Sequence, residues 1–200
     1  NNSKILAYWK YDDATKPGKD SHSWLGRLNN IRTALQGQQG DRRLRLGIAG
    51  GEWKKMMADA TARTRFASEV KKIIEQYDFD GVDFDFEWPA NASEYNNYSA
   101  TVIQMRSTLG KYVYFTASLH PVSFKISPEA IDALDFISYQ CYGPAVMRFP
   151  YEQFVKDGEA AVAYGIPKNK LVMGVPFYGS TGSLIAAYCD FVNDGLATTN

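Results

Sequence analysis

Between residues 80 and 88 the chain reads Asp80-Gly81-Val82-Asp83-Phe84-Asp85-Phe86-Glu87-Trp88. Successive side chains of a strand point to opposite faces. Asp83, Asp85 and Glu87 therefore share one face, and Val82, Phe84 and Phe86 share the other. The apolar face suits packing under helices, while the acidic face gathers carboxylates that are costly to shield from water. Crowded carboxylates in a poorly solvated site cannot all ionise easily, so at least one pKa should rise. A carboxyl of raised pKa is able to donate a proton near neutral pH. Glu87 is nearest the C-terminal end of the strand and has the best access to a substrate, with Asp85 and Asp83 progressively deeper. Two other readings fit the same alternation: an edge strand kept soluble by its acids, or an oxygen-ligand site for magnesium or calcium. An EF-hand loop does not fit, because its glycine and glutamate positions fail to match this spacing.

The elements that must position this strand alternate along the chain. Short apolar runs at residues 5–9, 44–49, 81–86, 112–118, 136–142 and 171–176 are bounded by turn or breaker residues, the pattern of buried parallel strands. Helical spacing of apolar residues lies between them. It includes Trp24, Leu25, Leu28, Ile31 and Leu35; then Phe66, Val70, Ile73, Ile74 and Tyr77; then Tyr98, Val102, Met105 and Leu109. A fourth helix follows Pro150 and stops at Gly165. No linker or composition shift divides the 200 residues, which are expected to form a single domain over 1–200.

Repeated strand–helix units imply an α/β fold with a parallel sheet and helices outside it. A dinucleotide-type open sheet should carry a glycine-rich turn after its first strand. The first strand here runs into Tyr8-Trp9-Lys10-Tyr11-Asp12-Asp13, without glycine. A (β/α)8 TIM-type barrel is therefore favoured. The six strands located fall short of eight, so the barrel is expected to be incomplete or minimal, with no strand evident after Pro176.

Composition excludes several classes. Lys plus Arg and Asp plus Glu balance at 22 each, which gives no electrostatic case for nucleic acid or an anionic membrane. No stretch has the apolar length of a membrane span, and the N-terminus has no signal-peptide pattern. Cys141 and Cys189 are expected to be unpaired thiols, and no Cys or His cluster has metal-ligand spacing. His22 and His120 stand isolated.

Geometry then narrows the chemistry. A two-carboxylate glycosidase sets its acid and its nucleophile or base on opposite sides of the scissile sugar. Asp85 and Glu87 come from one face of one strand and are poorly arranged to flank a ring. A sugar with a 2-acetamido group avoids this need, because its own carbonyl oxygen attacks the anomeric carbon. The protein then supplies one acid and one neighbouring carboxylate.

The pattern Asp-x-x-Asp-x-Asp-x-Glu, filled by Asp80, Asp83, Asp85 and Glu87, resembles the signature of glycoside hydrolase family 18, the chitinase and endo-β-N-acetylglucosaminidase family. Other pieces follow in that family's order, over roughly residues 4 to 179. The run from Ile5 to Trp9 resembles its first strand. Residues 44–53 resemble its third-strand motif Ser-x-Gly-Gly, with Ile48 in the place of serine. Residues 135–143 resemble its sixth strand in the Gln-x-Tyr form, with Gly143 where other members have aspartate. Residues 171–179 resemble its seventh strand. The second and eighth strands, and the tryptophan that ends the eighth, have no counterpart.

The resemblance implies roles. Glu87 would protonate the glycosidic oxygen. Asp85 would hold the acetamide nitrogen through an oxazolinium-like intermediate, and Asp83 would share a proton with Asp85. Tyr142 would hydrogen-bond the acetamide oxygen, and Asp80 would hold the strand and its turn. Tyr8, Trp88, Gln140 and Tyr178 would contact sugar, with Trp53 a weaker candidate. The implied activity is retaining, substrate-assisted, endo-acting hydrolysis of β-1,4-linked N-acetylglucosamine in chitin or chito-oligosaccharides. The N-glycan chitobiose core is the alternative substrate, and a non-hydrolytic chitinase-like lectin is the alternative function. No metal or organic cofactor is called for. The expected partner is an oligo- or polysaccharide containing N-acetylglucosamine, bound by a monomer. Family members are mostly secreted, which implies an extracytoplasmic location.

Overall fold

The computed structural model describes residues 24–36, 42–142, 150–180 and 185–187, together with residues 189 and 193. The expected first strand and Tyr8 lie outside these residues. After a first helix, α1 (Trp24–Gln36), strands and helices alternate. They are β1 (Arg45–Gly50), α2 (Lys54–Ala58), α3 (Ala60–Gln76), β2 (Gly81–Phe86), α4 (Ala92–Leu109), β3 (Tyr114–Leu119), α5 (Pro128–Ala133), β4 (Phe136–Gln140), α6 (Tyr151–Tyr164) and β5 (Leu171–Gly174).

β1 to β5 form one parallel sheet in the strict order β1-β2-β3-β4-β5. An open doubly wound sheet reverses its strand order at a switch point. Unbroken sequential order is instead the arc of a barrel wall. A small antiparallel pair follows, β6 (Tyr178–Ser180) with β7 (Ile185–Ala187), where no strand was expected after Pro176. Its segments are three residues each, too short for a period-2 signal.

The core lies between the sheet's outer face and the helices. Val82, Phe84 and Phe86 of β2 are buried with Phe115, Ala117 and Leu119 of β3 and Ile137 and Tyr139 of β4. Against them pack Phe66, Val70 and Ile74 of α3 and Tyr98, Val102 and Met105 of α4. Full burial of one such side chain contributes roughly 1.5–3 kcal/mol, so the outer face fixes which way β2 faces. The rings of Phe66, Phe84, Tyr98 and Phe86 form a chain with centroid separations of 5.7, 5.3 and 5.5 Å. The Tyr98 hydroxyl, buried beneath β2, donates to the Phe84 carbonyl at 3.0 Å. Trp53 belongs to this layer rather than to a sugar surface, with its ring 5.5 Å from Phe66.

The strand starts are tied by polar groups. Asp80 accepts the Leu44 amide at 2.6 Å, which joins the entry of β2 to that of β1. Asp135 accepts the Phe115 amide and pairs with Arg106, both at 2.7 Å. Cys141 is buried and Cys189 is exposed, and no disulfide joins them.

Candidate active site

Glu87 follows the last residue of β2, and the sequence fixes its exit in two places. Asn91 caps α4 by accepting the Glu94 amide at 3.0 Å, while the Glu94 carboxylate accepts the Ala90 amide at 2.8 Å. This reciprocal cap starts the helix at Ala92, five residues past Glu87. On the other side the Glu87 amide donates to the Gly50 carbonyl at 3.1 Å. Gly50 has φ +113°, and a Cβ on Gly51 would stand 2.5 Å from the Glu87 carbonyl oxygen. The Gly-Gly pair thus lets the β1 turn touch the backbone of the candidate acid. Ile48, where the family pattern has serine, turns to the outer face and is buried in the core. The Glu87–Trp88 peptide bond is cis.

Register brings three strands to bear on the acids. Asp83 pairs with Gly47 of β1 and Thr116 of β3, and Thr116 with Phe136 of β4. Asp83 is the most heavily bonded of the acids. Its Oδ1 accepts from the Arg45 guanidinium at 3.2 Å and from the Thr116 hydroxyl, and its Oδ2 accepts from the Ser118 hydroxyl at 2.7 Å. Arg45 also donates to Thr116 and lies over the Phe136 ring, 4.9 Å from its centroid. The Asp83 oxygens bond Arg45, Thr116 and Ser118, and among the described residues no hydrogen bond joins Asp83 to Asp85.

Asp85 is half-buried one step nearer the strand end, and its carboxyl is pushed up to about 6 from an ordinary 3.8. Burial is the largest cause, followed by the negative charge of Glu87, with a smaller contribution from Asp83. A long hydrogen bond from the Gln140 amide to its Oδ2, at 3.4 Å, acts in the opposite direction. The raised carboxyl expected of the crowded face is therefore Asp85. Glu87 itself is exposed.

Aromatic groups border the acids. Tyr142 follows β4, and its phenol is pushed up, first by burial and then by the charge of Asp85, with Tyr178, Glu87 and Asp83 adding to it. Tyr142 and Tyr178 meet edge to face at 6.4 Å. A Cβ on Gly174 of β5 would lie 3.1 Å from the Tyr142 ring, so a larger residue there would press on it. Trp88 is 37% exposed and rests 5.6 Å from the ring of His120. The structure thus groups Glu87, Asp85, Tyr142, Gln140, Trp88 and Tyr178 toward the C-terminal ends of the strands, with Asp83 deeper along β2. Among the described residues, no group of three or more His, Cys, Asp or Glu is placed to hold a metal ion.

Four residues of this region escaped the sequence reading: Arg45, Thr116, Ser118 and His120. A signal existed for three of them. Thr116, Ser118 and His120 alternate with the apolar Phe115, Ala117 and Leu119, which marks the same inward face as the acids.

The sequence profile of glycosyl hydrolases family 18 matches residues 5–192. The chain belongs to that family. It is 28% identical to an endochitinase of Manduca sexta, a match spanning 70% of this chain and 32% of that protein. It is 25% identical to a class V chitinase of Arabidopsis thaliana, over 67% of this chain and 44% of that one. The chain thus spans less than half the length of these curated relatives. Among solved structures, a family 18 chitinase from the chitin utilization locus of Flavobacterium johnsoniae superposes with a TM-score of 0.73 at 22% identity, covering 84% of this chain and 61% of that one. A mutant class V chitinase of Nicotiana tobaccum, solved in complex with NAG4, gives 0.64 at 18% identity, covering 86% and 67%. These likenesses establish the α/β barrel fold, of which β1 to β5 are a contiguous arc.

Proposed function

We propose that this family 18 protein hydrolyses β-1,4-linked N-acetylglucosamine in chitin or chito-oligosaccharides, with the substrate's acetamido group as nucleophile. One observation supports the reading above others. The inward positions of the five strands and their exits hold Arg45, Gly47 and Ala49; Asp83, Asp85 and Glu87; Thr116, Ser118 and His120; Phe136, Ser138, Gln140 and Tyr142; Val172 and Gly174. Among these described positions every carboxylate lies on β2 or just past its end, and none of them stands across from Glu87 to attack the opposite face of a sugar.

In the proposed reaction the Glu87 carboxylic acid gives its proton to the glycosidic oxygen as the C1–O bond breaks. The electron pair of that bond leaves on the departing oxygen, and a lone pair of the acetamido carbonyl oxygen closes on C1 to form an oxazolinium ring. Asp85 accepts the acetamide N–H, and Tyr142 donates to the acetamide oxygen and orients it for attack. Water then opens the ring at C1 on the face the leaving group vacated, giving its proton to the Glu87 carboxylate. Two displacements retain the β-configuration. Asp83, fixed by Arg45, Thr116 and Ser118, acts on Asp85 through its charge. Trp88 and Tyr178 offer flat apolar faces to sugar rings and Gln140 a polar contact; the resemblance adds Tyr8, which lies outside the described residues.

The test is reducing-end release from chito-oligosaccharides, with fully deacetylated oligomers and an N-glycan chitobiose substrate alongside. Cleavage confined to acetylated chito-oligosaccharides, with the β-anomer formed first, is the expected result. Equal cleavage of deacetylated oligomers removes the neighbouring-group mechanism. Tight binding with no cleavage makes the protein a lectin, and cleavage of the N-glycan alone moves the substrate class.

A further inference from the structure

His120 has no role in the proposed reaction, yet it stands between two of its participants. It lies just past β3, 2% exposed, in the same inward file as Thr116 and Ser118. Extending the β2–β3 register beyond its last pair, Phe84 with Ala117, brings His120 level with Glu87. Its backbone is held by a tight turn in which the Ser123 amide donates to the His120 carbonyl at 2.6 Å.

The ring's partners settle its protonation. Nδ1 faces the Val122 amide at 3.3 Å, and Nε2 faces the Tyr142 carbonyl at 2.9 Å. A backbone N–H only donates and a carbonyl only accepts. Nδ1 is therefore the acceptor, and Nε2 carries the hydrogen that it gives to Tyr142. The Nε2–H tautomer satisfies both contacts. The ring's flank meets the Trp88 indole at 5.6 Å and 55°.

Both neighbours lie beyond the sheet ladder, Trp88 past the end of β2 at Phe86 and Tyr142 past the end of β4 at Gln140. Among the described residues no strand hydrogen bond fixes either of them. We propose that His120 is a positioning residue: its imidazole holds the Tyr142 backbone with one nitrogen and the Trp88 indole with its ring, and so sets how far the acetamide-orienting phenol stands from the aromatic wall. This rests on the reading of Tyr142 and Trp88 as substrate contacts given above.

Two substitutions separate the two contacts. His120→Phe keeps a ring against Trp88 and deletes the hydrogen bond to Tyr142. His120→Gln keeps a donor that can reach the Tyr142 carbonyl and deletes the ring. On a chito-oligosaccharide, the Phe variant is expected to lose about tenfold or more in kcat with KM little changed, because Tyr142 is misplaced during attack. The Gln variant is expected to keep kcat and raise KM several-fold, because the Trp88 wall is loosened. A purely structural His120 would lower both variants' activity in step with their melting temperatures, without this split, and that outcome overturns the proposal. Wild-type kinetics in both variants overturns it too and leaves the hydrolase reading standing. A wild-type protein that cleaves none of the substrates removes the hydrolase reading and the proposal with it. An independent readout is the ¹⁵N spectrum of the His120 imidazole at neutral pH: the Nε2–H tautomer is expected, and the Nδ1–H tautomer contradicts the assignment whatever the activity.

Discussion

Asp85 should make the protein less stable where it ionises. Its carboxyl titrates near 6 in the folded chain against an ordinary 3.8. Between those values the folded state binds more protons than the unfolded one, so stability falls as pH rises through the window. The difference corresponds to about 3 kcal/mol at 1.36 kcal/mol per pKa unit. Asp85 is only half-buried, and solvent screening brings this to about 1–2 kcal/mol. Asn has the shape of Asp85 without the charge, and the Gln140 amide beside it can flip to suit. Asp85→Asn is therefore expected to be more stable than the wild type by about 1–2 kcal/mol at pH 8, and by only about a fifth of that near pH 4. Urea unfolding at several pH values, followed by tryptophan fluorescence, measures this difference. The same variant should lose most of its activity. An Asn variant no more stable than wild type at pH 8, or one with an equal gain at pH 4, would refute the burial and Glu87 repulsion assigned to Asp85.

Other substitutions probe the parts around it. Gly51→Ala pushes a methyl group onto the Glu87 carbonyl, 2.5 Å from where the Cβ must lie, and backbone cannot yield as a side chain can. It is expected to cost about 2 kcal/mol in stability and about 100-fold in kcat, and a variant with normal kinetics would show the turn to be free to move. Tyr142→Phe removes the hydroxyl alone and should lower kcat about 10- to 100-fold with little change in KM, as steady-state assays on chito-oligosaccharides would report. A double-mutant cycle of Arg45→Met with Asp83→Asn should give a coupling of about 1–2 kcal/mol in urea unfolding, since the pair is joined at 3.2 Å and partly shielded from water. Additive effects would mean that the ion pair contributes nothing.

How far the sequence could be read depended on how local the signal was. The bounds of β2 were legible to the residue, because acids and apolar groups alternate on it without interruption from Val82 to Glu87. The expected start of β3 at residue 112 was early, since Tyr112 is 87% exposed in the turn before Tyr114. β4 ends at Gln140 rather than residue 142, because the Cys141 amide turns back to the Tyr139 carbonyl. Helices α2 and α5, of five and six residues, are too short to show a helical period and passed unseen. Sequence favoured a barrel only through a missing glycine turn, whereas strand order argues it directly. The acids themselves were legible, but the partners of Asp83 were not. Arg45 lies 38 residues from Asp83 and Ser118 lies 35, and only the pairing of β2 with both of its neighbours joins them. His120 stands isolated in the sequence because its partners, Trp88 and the Tyr142 carbonyl, come from two other strand ends.

The central claim is that Glu87, the exposed acid at the end of β2, delivers the proton that breaks the glycosidic bond. Glu87→Gln tests it most directly, measured as reducing ends released from a chito-oligosaccharide and as binding of the same sugar by calorimetry. Hydrolysis is expected to fall by several orders of magnitude with affinity kept within a few-fold. Turnover near the wild-type rate in that variant would contradict it.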